Sequence, residues 1–83
     1  MAVKNLLAKN KLEDFKSWLV GDGAKIEATK GYYQLLRFRY PNDSKPHIIY
    51  DSHNPMYLSL ENRTAPIVRR FLRSNKINSI SEM

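Results

Sequence analysis

The run Tyr32-Tyr33-Gln34-Leu35-Leu36-Arg37-Phe38-Arg39-Tyr40 decides the fold. Leu36, Phe38 and Tyr40 alternate with Leu35, Arg37 and Arg39, and Tyr33 shares the face of the arginines. A period of two is the signature of a strand with one face against a core. On its N-terminal side, Ala24, Ile26 and Ala28 alternate with Lys25, Glu27 and Thr29, and Lys30-Gly31 reads as the turn between two strands. On its C-terminal side, Pro41 to Pro46 is a polar loop and His47 to Asp51 a third strand with Ile48 and Tyr50 inward. After a turn over Ser52 to Pro55, Met56, Leu58 and Leu60 alternate with Tyr57 and Ser59 as a short fourth strand.

Helical periodicity flanks this block. Val3, Leu6 and Leu7 point one way on a helical wheel, and Leu12, Phe15, Trp18 and Leu19 point another. One straight helix cannot bury both sets. A break near Asn10 resolves the conflict, with Asn10 and Glu13 spaced as a capping box. The expectation is a short helical or loose arm, then a helix from about Lys11 to Val20 ended by Gly21. The last helix starts near Thr64 to Pro66, with Thr64 as N-cap and Ile67, Val68, Phe71 and Leu72 as its apolar stripe. The order α-β-β-β-β-α with short connections predicts an α+β domain. Its sheet has three or four antiparallel strands, with both helices on one face. The expected core is Phe15, Trp18, Leu19, Leu36, Phe38, Ile48, Leu58, Phe71 and Leu72. Residues 1–76 form the domain, and residues 77–83 are expected to be a frayed tail.

Composition narrows the function classes. The chain has 83 residues, a net charge of +6 and no cysteine. One small domain exhausts that length. Disulfides and thiolate metal sites are excluded. No apolar run reaches the roughly 18 residues of a membrane span, and no secretory h-region is present, so a cytoplasmic location and no membrane partner are expected. His47, Asp51 and His53 have ligand chemistry, but Asp51 to Pro55 is also ordinary turn composition, and no metal or other cofactor is expected. Phosphate-binding glycine motifs and nucleophile–His–acid patterns are absent, so no catalytic residues are expected.

Two features suit binding. Tyr33, Arg37 and Arg39 on the second strand interleave an aromatic with guanidinium groups, as stacking on bases and pairing with phosphates require. Arg69, Arg73 and Lys76 fall at i, i+4 and i+7 on the last helix, with Arg63 and Arg70 nearby, and the C-terminal part of the chain has its highest net positive charge. The leading expectation is a non-enzymatic module binding DNA or RNA through these residues. The alternative is an accessory or inhibitor protein that docks on an acidic surface of a host protein, with Tyr33, Tyr57 and Arg37 as anchors.

The order of helix, antiparallel strands and closing helix resembles that of the double-stranded RNA-binding domain. That family has a Gly-Pro-x-His loop and a Lys-Lys-x-Ala-Lys helix start. Here the loop is Pro41-Asn42-Asp43-Ser44-Lys45-Pro46 and the helix starts Thr64-Ala65-Pro66-Ile67-Val68, so the family's function does not carry across. In size, strand arrangement and terminal basic helix the chain is also similar to small accessory proteins encoded by bacteriophages. That resemblance implies non-catalytic binding of host or viral machinery, in the host cytoplasm.

Overall fold

The computed structural model describes residues 6–81, with side chains described through residue 74. Four strands form one antiparallel sheet in the order β1-β2-β3-β4: β1 Lys25–Glu27, β2 Gln34–Arg39, β3 His47–Tyr50 and β4 Ser59–Leu60. Two helices complete the α+β fold, α1 at Leu12–Gly21 and α2 at Ala65–Ser81. α2 therefore takes in residues 77–81, which the sequence reading set aside as tail; residues 82–83 lie outside the described residues.

Register explains which side chains meet. Ile26, Phe38 and His47 lie in one row across the sheet, and Leu36, Ile49 and Leu60 in the next. These rows face the helices. Phe15 of α1 sits edge-on to Phe38 at 5.8 Å and against Phe71 of α2 at 5.1 Å. The opposite sheet face carries Glu27, Arg37 and Ile48 in one row and Lys25 and Arg39 in another.

β3 therefore has the phase opposite to expectation. His47 and Ile49 are buried, and Ile48 and Tyr50 lie on the outer face. The run His-Ile-Ile-Tyr has an apolar residue in either phase, so periodicity alone could not choose. Burying His47 is tolerated because both ring nitrogens find partners. β2 differs too. A bulge between Gln34 and Leu36 interrupts the alternation, and Tyr32 and Tyr33 lie in the preceding turn. Trp18 meets Phe71 at 5.7 Å as expected, but it is half-buried rather than central.

The helix break before α1 is present, with a 3-10 turn over Lys9–Lys11, but Asn10 does not cap it: α1 starts from Lys11 without a side-chain cap bond. Residues 1–5 of the arm, Val3 among them, lie outside the described residues; Ala8 is extended. Ala8 bridges antiparallel to Tyr57, Leu58 N–H donates to the Leu7 carbonyl at 2.9 Å, and Lys9 N–H donates to the Met56 carbonyl at 2.8 Å. Leu7 is fully buried by this strap. β4 itself is shorter than its apolar alternation suggests, and the segment just before it pairs with the arm.

α1 ends one residue later than the sequence suggested, and its left-handed glycine is Gly23 rather than Gly21. Gly21 stays helical and Gly23 takes φ 99°. Ala24 N–H donates to the Leu19 carbonyl and Gly23 N–H to the Val20 carbonyl, the two bonds of a Schellman motif, with Ala24 and Leu19 both in the core. A Cβ at position 23 would meet no atom within 4 Å, so the cost of a side chain there is conformational. Gly23→Ala should lower stability by about 1–2 kcal/mol in a chemical denaturation series. Gly21→Ala, in the helix, should be neutral or stabilising in the same series.

Candidate binding surfaces

On the outer sheet face, Arg37 and Arg39 share one carboxylate. Glu27 accepts from Arg39 Nε at 3.0 Å and from Arg37 Nε at 3.3 Å. Burial pushes the Glu27 carboxyl up, but the bonds from Arg39 and Arg37 outweigh it and hold the group below the usual carboxylate range. Arg39 also donates to the Ser44 carbonyl. The two guanidiniums that the strand pattern nominated as a phosphate platform are thus bound to an acid from β1. The side chain of Arg37 is only 17% exposed. Residues 37 and 39 face Glu27 across the strand pair, a juxtaposition set by register that neither segment reveals alone.

Neither Tyr33 nor Tyr57 bonds to the Glu27 cluster. Tyr33 is 72% exposed in the turn before β2, beside a shallow cleft it shares with Asp51, Ser52 and His53. Its carbonyl accepts from Asp51 N–H at 2.7 Å. Tyr57 is half-buried where the arm crosses, and its carbonyl accepts from the Ser52 hydroxyl. Tyr32, which the sequence reading did not select, is 98% exposed.

The arginines of α2 divide into two kinds. Arg70 is committed to α1: it pairs with Asp22 at 2.9 Å and lies over the Trp18 ring at 5.4 Å. Asp22 also accepts from the Tyr40 hydroxyl at 2.6 Å. Burial and the Asp22 carboxylate push that phenol up to about 12. Arg63, ahead of the helix, donates to the Lys45 and Pro46 carbonyls and fastens the β2–β3 loop. Arg69 and Arg73 are different. Both are exposed, and neither has an ion pair among the described residues. They stand one helical turn apart, and Arg73 borders a shallow cleft with Trp18, Asp22, Arg70 and Ser74. Lys76 continues the same spacing, in the part of α2 whose side chains lie outside the described residues.

The histidines separate. His47 Nδ1 lies 2.9 Å from Thr64 Oγ1, its Nε2 lies 3.1 Å from Asp43 Oδ2, and its ring stacks on Phe38 at 5.0 Å. Thr64 occupies the residue before α2, as expected for a cap, but its hydroxyl is engaged by His47. Burial first, and then the Arg63 charge, hold the imidazole below its ordinary value, against the opposing pull of Asp43. Asp51, four residues on, pairs instead with Lys9 of the arm at 3.2 Å. The Lys9 bond, with help from Ser52 N–H, lowers its carboxyl. His47, Asp51 and His53 therefore form no cluster, and among the described residues no three His, Asp or Glu side chains converge on a cation position. The hydroxyl–imidazole–carboxylate chain has the order of a catalytic triad. Thr64 is fully buried, however, so no substrate reaches its oxygen. No helix among the described residues is long and apolar enough to cross a membrane. No protein-family model, no curated protein and no solved structure matches this chain.

Proposed function

We propose that the protein is a non-enzymatic module that binds the phosphate backbone of DNA or RNA through the solvent face of α2. The observation that carries this reading is the state of Arg69 and Arg73: exposed, one turn apart and without an acidic partner among the described residues. Guanidinium groups in that state donate to phosphate oxygens without first breaking an internal ion pair. The net charge of +6 adds long-range attraction for a polyanion. Arg37, Arg39 and Arg70 serve the fold through Glu27 and Asp22, which narrows the binding surface to the helix. The non-enzymatic part of the reading is supported by the burial of Thr64 and His47, the hydroxyl and imidazole of the one triad-like arrangement among the described residues.

Titration against random-sequence single- and double-stranded nucleic acid over a salt series tests the reading. Each phosphate contact with a duplex contributes a slope of about 0.9 in log affinity against log salt. Replacing Arg69 and Arg73 together with glutamine should therefore lower the slope by about 1.8. Arg37→Gln should leave it unchanged. Lack of binding at low salt would overturn the proposal and transfer the α2 face to the alternative partner, an acidic protein surface.

A further inference from the structure

The two edges of the sheet are treated differently. Beyond β4, the arm residues Leu7 to Lys9 cover the chain at Met56 to Leu58. Among the described residues, the other edge, β1, pairs on one side only, with β2. Open edges normally carry a device against pairing with another strand. The sequence around β1 does the reverse, because it is complementary to itself.

Ala24-Lys25-Ile26-Glu27-Ala28 reads as its own partner when a second copy runs antiparallel with Ile26 opposite Ile26. Lys25 then faces Glu27 of the other copy, and Glu27 faces its Lys25. Ala24 faces Ala28. Strand pairing keeps opposed residues on the same face, so the charged pairs fall on the outer face and the isoleucines on the helix side. One further observation favours a second copy as the occupant. Within one chain, Lys25 lies directly opposite Arg39 and has no ion pair among the described residues. Like charges in that position are unfavourable, and a facing carboxylate relieves them.

We propose that two copies of this chain pair antiparallel through their β1 strands, about a two-fold axis at Ile26, and join their sheets into one of eight strands. The interface is isologous, so each favourable contact occurs twice. Each Glu27 becomes the centre of a charge cluster, with Arg37 and Arg39 of its own chain and a lysine across the axis. The pairing is independent of what α2 binds.

Sedimentation equilibrium of the full chain across a wide concentration range tests the proposal. A reversible dimer is expected. Lys25→Glu places glutamate opposite Glu27 twice per dimer and should raise the dimer dissociation constant by about tenfold or more. The same substitution puts a carboxylate opposite Arg39 within each chain, so thermal stability compared at concentrations where both proteins are monomeric should hold or rise, which separates loss of pairing from loss of fold. Because the chain has no cysteine, single cysteines report the register. Ile26→Cys should form a disulfide-linked dimer under mild oxidation, since cross-axis Cα atoms of an aligned pair fall within disulfide reach. Ala28→Cys, displaced along the strand from its counterpart, should not. A monomer at every concentration overturns the proposal, and so does a dimer that Lys25→Glu leaves intact.

Discussion

Replacing Phe15 with alanine is expected to lower stability by about 3–5 kcal/mol, the usual cost of emptying a buried aromatic site. Phe15 is fully buried and touches three other rings: Trp18 at 6.0 Å, Phe38 at 5.8 Å and Phe71 at 5.1 Å. It is the residue through which α1 meets both the sheet and α2. Its loss removes contacts from three elements at once, and the remaining rings are too rigid to collapse into the space. A domain of this size has a total stability of about 4–12 kcal/mol, so the variant should lose about a quarter or more of it and unfold at a clearly lower denaturant midpoint. The single tryptophan provides the readout, because Trp18 stacks on Phe15 and changes environment on unfolding. Phe15→Leu, which keeps most of the volume, should lose well under half as much. A loss below about 1 kcal/mol for Phe15→Ala would show that the three-ring contact is not the core.

His47→Ala is expected to cost about 2–4 kcal/mol near neutral pH, from the lost packing against Phe38 and the lost partners of Thr64 and Asp43. It should also change the pH dependence. A neutral imidazole with its proton on Nε2 donates to Asp43 and accepts from the Thr64 hydroxyl, which satisfies every polar group in the chain. Protonation of Nδ1 turns the acceptor for Thr64 into a second donor and places a charge in the core. The folded imidazole titrates below its ordinary value of 6.5, so the unfolded chain binds the proton first as pH falls. The His47 contribution is therefore complete above about pH 6.5 and declines progressively below it until the folded form also protonates. Denaturant midpoints of the parent chain measured from pH 7.5 to 4.5 should fall, carboxylate titration adding to the lower end. In the difference between parent and His47→Ala, carboxylate effects common to both cancel, and the gap should narrow as pH drops below about 6.5. A gap that stays constant or widens would contradict a neutral buried imidazole.

The α+β class and the order of elements were legible because period-two and helical patterns alternate cleanly along the chain. Phe15, Leu19, Leu36, Phe38, Leu58 and Phe71 were correctly placed in the core for the same reason. The errors arose where neighbours distant in sequence decide. His47 takes the inner face because Asp43 and Thr64 await it there, a solution invisible to an apolar count. Arg37 and Arg39 are both engaged by Glu27, which the β1–β2 register places beside them. Asn10 has the spacing of a cap, but the chain enters α1 through a 3-10 turn that starts it from Lys11. Of the candidate binding residues, those on α2 were the most readable, since helical spacing alone puts Arg69 and Arg73 on one side. Which α2 arginine would be captured by Asp22 depended on the packing of α1, which no local pattern encodes.

The strap formed by Leu7 to Lys9 has a consequence for the life of the chain on the ribosome. Its partners, Met56 to Leu58, are synthesised about fifty residues later, so Leu7 emerges well before the segment it packs beside. Until then Leu7 stays in water, and the edge that it later covers is bare. Two main-chain bonds hold the strap to its partner segment, fewer than hold the paired strands β2 and β3 of the sheet. The strap is also the natural first point of release in the finished protein. In native-state hydrogen exchange, the amides of Lys9 and Leu58 should open more readily than those of β2 and β3. A protease able to engage an extended segment would find its earliest foothold there.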